Sequence, residues 1–172
     1  MALVVETGAG TTAGAEAYVS VADYLAYLTK MNYVPLASNV PRTEAAIRKA
    51  TQYIDGKYLK RFKGERAVLN QPLEWPRQNV LIGNTWVVYT TLPRNLISAT
   101  CELAFLVESG IDLTPTLERG GALRAKTETV GPITERNAWS SSASPEDVYL
   151  NVEFLLRVLL RRSGFIRELV RT

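Results

Sequence analysis

Apolar residues recur at helical spacing in four stretches of the chain, and Gly or Pro stands near the end of most of them. Val21, Tyr24, Leu25 and Leu28 share one face and predict a helix that closes near Lys30. Ser20 precedes it as an N-cap, with Asp23 at the spacing of a capping box. After a loop with Pro35 and Pro41, Thr43 reads as the next N-cap and Glu44 suits the first turn. Ile47, Ala50, Thr51, Ile54 and Tyr58 then mark a buried face, with Arg48, Lys49, Gln52 and Asp55 on the wet side. The periodicity carries this second helix to Phe62, and Gly64 stops it. Pro93 suits the first turn of a third helix. From Leu96 to Val107 that helix is apolar nearly all round, which places it in the middle of a core. Ser144-Pro145-Glu146-Asp147 is the strongest helix start in the chain. Val148, Val152, Leu155, Leu156 and Leu159 supply its stripe, and Gly164 ends it.

The intervening stretches read differently. Leu123 to Arg136 alternates without an apolar face, and Gly131-Pro132 divides it. That predicts two extended arms about a turn, or a long hairpin, that needs a neighbour. Thr7 to Gly14 is small and Gly-rich, but it lacks the spacing and the Lys of a phosphate loop. It is read as a flexible N-terminal arm. Asn79 to Thr91, with Trp86 and Tyr89, is a short strand or an apolar loop. The expected fold is therefore mainly α: a small antiparallel four-helix core with a projecting loop or β-hairpin arm and extended termini. As one domain it divides into an arm at 1–17, a helical core at 18–110, a projecting arm at 111–143, a final helix at 144–162 and a docking tail at 163–172.

Gln71-Pro72-Leu73-Glu74-Trp75-Pro76-Arg77 lies between the second and third helix patterns. Proline fixes φ, donates no backbone hydrogen bond and pushes its predecessor toward extended geometry. Pro72, Trp75 and Pro76 therefore form a stiff structural clamp that pins one large aromatic ring against the core.

Composition narrows the chemistry. There is no His and only one Cys, Cys101, in an apolar run. That removes His-dependent nucleophile systems, His-ligated metal sites and any disulfide within one chain. No positioned carboxylate pair stands out for acid–base work. The expectation is a non-enzyme with no catalytic residue, no metal ligand and no cofactor. No apolar run approaches the length of a membrane span, and Met1 to Glu6 lacks the basic start of a secretory leader.

Charge is unevenly placed. Lys57, Lys60, Arg61, Lys63 and Arg66 cluster around one acid, Glu65. Arg157, Arg161, Arg162, Arg167 and Arg171 cluster with Glu153 and Glu168. Together these exceed the whole-chain charge of +3, so the remainder is net acidic. The clusters are solvated helix ends, or they touch DNA or an acidic protein surface. The first cluster supplies the candidate DNA contacts.

Several segments carry a family resemblance. They are AEAYVSVADYLAYL (15–28), EAAIRKATQYID (44–55), QPLEWPR (71–77), LPRNLISATCELAF (92–105) and KTETVGP (126–132). In this order the chain resembles head-to-tail connector proteins of tailed bacteriophages, a family often labelled DnaT-like single-stranded-DNA-binding proteins. The resemblance implies a virion structural protein assembled in the host bacterial cytoplasm, an adaptor in a dodecameric ring. Its partners would be further copies of itself, the portal protein, the next connector or tail protein, and the genomic DNA in the channel, with no membrane. On that reading Lys126, Glu128, Val130 and Ile133 of the arm and Phe165, Ile166, Arg167, Leu169, Val170 and Arg171 of the tail form the partner interface. The alternative is a DnaT-like replication protein that binds single-stranded DNA. Such binders stack bases on exposed aromatics in a basic groove. Here periodicity puts the aromatics mainly on buried faces, which favours assembly over strand binding.

Overall fold

The computed structural model describes residues 2–34, 39–114 and 149–161, and residues 125–130 and 133–138 as backbone. Among the described residues four helices are present: α1 (Val21–Lys30), α2 (Val40–Tyr58), α3 (Arg94–Glu108) and α4 (Leu150–Leu156). Three antiparallel strand pairs accompany them: β1 (Glu65–Arg66) with β2 (Arg77–Gln78), β3 (Leu81–Ile82) with β4 (Thr85–Trp86), and β5 (Ala125–Val130) with β6 (Ile133–Ala138). The architecture is mixed, not the mainly α four-helix core expected. The reason lies in α4, only seven residues long, and in the link between α2 and α3, which spends its backbone on strand pairs.

The chain forms two units, 1–113 with 150–172, and 114–149. In the second unit the alternating stretch forms a hairpin, in register from Ala125 opposite Ala138 to Val130 opposite Ile133. Lys126 stands opposite Asn137 and Glu128 opposite Glu135. The side chains of these expected interface residues lie outside the described residues, as do the whole of Phe165, Ile166, Arg167, Leu169, Val170 and Arg171.

In the first unit α3 packs on α2 and α4, and α1 lies against α2 and α3. The predicted face of α2 is the buried one: Ile47, Ala50, Thr51, Ile54 and Tyr58 are all enclosed. Its start is earlier than expected. Asn39 is the N-cap, accepting from Arg42 N at 3.3 Å, and Pro41 sits in the first turn, where its missing N–H leaves nothing unpaired. Thr43 is not a cap; its hydroxyl donates to Glu108 Oε1 at 2.6 Å. The helix also stops at Tyr58, short of Phe62. Beyond it, 61–63 pairs with 159–161: Lys63 N donates to Leu159 O at 2.9 Å and Arg161 N to Arg61 O at 2.7 Å. The same pairing ends α4 at Leu156, well before the stop expected at Gly164, while the expected helix start at 144–148 lies outside the described residues.

Helix α3 is not purely apolar. Glu102 and Glu108 are buried on it, and α1 supplies the phenols that satisfy them. Tyr24 OH donates to Glu108 Oε2 at 2.9 Å, and Tyr27 OH to Glu102 Oε1 at 2.7 Å. Burial, then the carboxylate bond, pushes both phenols far up, so they stay donors. Cys101 is buried in the same helix, and burial pushes its thiol up to about 12.

The N-terminal segment is not an extended arm. Val5 bridges Ala17, Glu6 N donates to Ala17 O at 2.9 Å, and Ala9 N donates to Tyr89 O at 3.2 Å. Gly8 has φ +129°, and a Cβ there would come within 1.9 Å of Thr90 O. Glycine serves close backbone packing here, not flexibility.

Candidate functional site

Trp75 is fully buried, its ring edge-on to Phe62 with centroids 5.8 Å apart. The Trp75–Pro76 bond is cis. Pro76 is buried with it, whereas Pro72 is exposed, so the clamp closes from one side. A polar network holds the crossing. Asp55, from the end of α2, accepts from Tyr18 OH through Oδ1 and from Glu74 N through Oδ2, the latter at 3.1 Å. Tyr18 OH in turn accepts from Trp75 N at 3.2 Å. Burial, partly offset by these donors, raises Asp55 to about 6. The Gln71 amide ties the loop to itself, donating to Leu73 O and Pro76 O at 2.7 and 2.9 Å.

The five expected DNA contacts divide by role. Lys57 Nζ donates to Tyr53 OH at 2.7 Å and sits above the rings of Tyr53 and Tyr58. Lys60 and Arg61 are exposed in the turn after α2, and Arg61 lies over the Tyr58 ring, 4.0 Å from Glu153. Lys63 Nζ donates to Leu81 O at 3.2 Å and Val158 O at 2.8 Å, fastening both the β3–β4 hairpin and the end of α4 to the turn. Arg66 turns the other way, to Glu74.

Sequence reasoning was right that Tyr58 and Phe62 are unavailable, since both are buried. It missed the aromatics that flank the turn. Trp86 stands opposite Leu81 in the hairpin that Lys63 anchors, and it is 65% exposed. Phe154 follows Glu153 in α4 and is 63% exposed, with the Arg157 guanidinium 6.0 Å from its ring centre. Gly83-Asn84 between the strands was the turn signal that could have marked Trp86 as part of a hairpin. Phe154 could have been found by its place off the Val152–Leu156–Leu159 stripe.

Among the described residues no group of three or more His, Cys, Asp or Glu could hold a metal ion, and no helix is long and apolar enough to cross a membrane. The geometry assembles a surface for binding: cations on a turn, with large rings exposed on the elements fastened to it. The chain belongs to the DnaT-like ssDNA binding protein family, whose model matches residues 1–172. No curated protein and no solved structure matches it. This finding overturns the connector reading. The family description is of single-strand binding across the full length, and nothing supports an adaptor ring, portal or tail partners, or a place in a virion. The resemblance was sound in its family label and misdirected in the role drawn from it. That role leaned on buried aromatics, and Trp86 and Phe154 break the premise.

Proposed function

We infer that the protein binds single-stranded DNA and acts by binding, without a reaction of its own. Lys60, Arg61 and Lys63 take the phosphate backbone, and Trp86 and Phe154 offer faces on which bases stack. The observation that carries this reading is the exposed Trp86 on a hairpin held to the basic turn by Lys63. An aromatic that packing left uncovered, beside a cluster of cations, is the combination that single-strand binders use. The whole-chain family match supports the same reading. Stacking tolerates any base, so the binding has little sequence preference.

Fluorescence anisotropy with a labelled oligothymidylate of about twelve nucleotides, within the span such surfaces cover, tests it. Trp86→Ala and Phe154→Ala are each expected to weaken binding by about 1–3 kcal/mol, the range for one stacked base. Both side chains are exposed, so the melting temperature should hold. A strand that fails to bind at low salt, or binds both variants like the parent, rules the reading out.

A further inference from the structure

Arg66, Arg77 and Arg161 converge on a cleft of about 590 Å³ that also takes in Glu74, Leu59 and Leu69. Their roles differ. Arg77 is buried and committed: it donates to Lys63 O at 2.9 Å, Gly64 O at 3.0 Å and Glu74 Oε2 at 2.9 Å. Arg66 directs Nε and Nη2 to Glu74 Oε1, leaving Nη1 without a partner among the described residues. The Arg161 guanidinium has one long bond, 3.5 Å to Gly64 O, the carbonyl that Arg77 also uses. Glu74 is buried, and its two oxygens are divided between Arg66 and Arg77. So Arg66 and Arg77 enclose the Glu74 carboxylate, Arg161 lines the same cleft, and among the described residues the other acid in the lining is Glu65, which is exposed. Gly64 makes the shape possible. Its φ is +65°, and a Cβ there would lie 2.1 Å from Gln78 O.

We propose that this cleft binds a phosphate monoester carried on a nucleoside, with the phosphate on Arg66 and Arg161 and the nucleoside against Leu59 and Leu69. With Glu65 and Glu74 counted the lining is net positive by one charge, and a monoester presents three terminal oxygens to the Arg66 and Arg161 guanidiniums, where an internal phosphodiester presents two. Leu69 is 86% exposed at the cleft wall, an uncovered apolar surface beside the charges. The cleft volume falls in the ordinary range for a small-molecule site. Arg77 and Glu74 are positioning residues: they hold Arg66 in place and need not touch the ligand. The ligand is either a free nucleotide or the phosphorylated end of a strand. The proposal goes beyond the strand-binding reading and does not depend on it, because Arg66 and Arg161 are separate from the turn cations and from Trp86.

Calorimetry with thymidine monophosphate and with thymidine tests the site directly. The monophosphate should bind, thymidine at least ten-fold more weakly, and Arg161→Gln or Arg66→Gln should each reduce monophosphate binding about ten-fold. Arg161→Gln removes only a long surface bond, so it keeps the test valid if Arg66→Gln loosens the fold. Anisotropy with oligothymidylate bearing a 5′-hydroxyl or a 5′-phosphate separates the two sources. A gain for the phosphorylated strand that disappears in Arg161→Gln identifies the strand end; monophosphate binding without that gain identifies the free nucleotide. Equal binding of thymidine, or no monophosphate binding and no strand gain, overturns the proposal. If the hydroxyl-ended strand alone fails to bind, the strand-binding reading falls and this site stands.

Discussion

Asp55 shows how much rests on one side chain. Its carboxylate accepts from Tyr18 OH and Glu74 N and so sets the crossing that carries Trp75. Those two donors do not fully offset its burial, and its acidity shifts from the ordinary 3.8 to about 6. The folded state therefore holds this proton more tightly than the unfolded chain does. Its stabilising contribution is complete below about pH 4 and is lost as pH rises through about 6. The shift corresponds to about 3 kcal/mol across that window. Asp55→Asn keeps an acceptor for Tyr18 but turns an amide N–H₂ toward Glu74 N, so it forfeits one bond while removing the titration. In denaturant melts from pH 4 to pH 7, the stability difference between parent and variant should move in the variant's favour by about 2 kcal/mol. A constant difference over that range would remove Asp55 as the group responsible. The sequence placed Asp55 on the wet face of its helix, but the crossing loop covers that position and leaves its carboxylate largely buried. Its partners come from Tyr18 and Glu74, far along the chain, and spacing within one helix carries no information about them.

At the scale of elements, the helices were legible and their ends were not. Ser20 caps α1 as read, its side chain accepting from Asp23 N at 3.1 Å, because a cap is a local bond. The ends of α2 and α4 are set by each other through the 61–63 and 159–161 pairing, a long-range competition for backbone groups. The Thr7 to Gly14 segment misled for a related reason. Its composition suggests a loose arm, yet Gly8, Ala9 and Gly10 all have positive φ, and the segment closes over residues 71 and 89–91. A methyl group at Gly8 would need both an unfavourable φ and a shift of the Thr90 backbone. Gly8→Ala should therefore destabilise the fold by more than about 1 kcal/mol, beyond the entropic gain of losing a glycine. By contrast, a Cβ at Gly56 meets nothing, so Gly56→Ala within α2 should stabilise by about 0.4–1 kcal/mol. Thermal melts of the pair check both signs. If the two variants shift in the same direction, close packing at Gly8 is not what its glycine provides.

For the whole molecule, the net charge of +3 is a poor guide, because placement matters more than the total. The acids of α3 are buried under phenols, and Glu74 is enclosed by guanidiniums. Lys60 and Arg61 stay exposed on the turn, and Lys63 is half-buried there. What the sequence could not show is that the surface aromatics come from other elements, a hairpin and a seven-residue helix brought to the turn by Lys63 and Arg61. Strand binding on such a surface divides into a salt-dependent part from the cations and a salt-independent part from stacking. Three phosphate contacts, from Lys60, Arg61 and Lys63, give a slope of log affinity against log salt near −2 for a single strand. Neutralising two of them, as Lys60→Gln with Arg61→Gln, should bring the slope to about −0.7. Trp86→Ala should lower affinity at every salt concentration and leave the slope unchanged. Anisotropy titrations across a salt series measure both quantities in one experiment. A slope that stays near −2 in the double variant would place the phosphate contacts elsewhere on the protein.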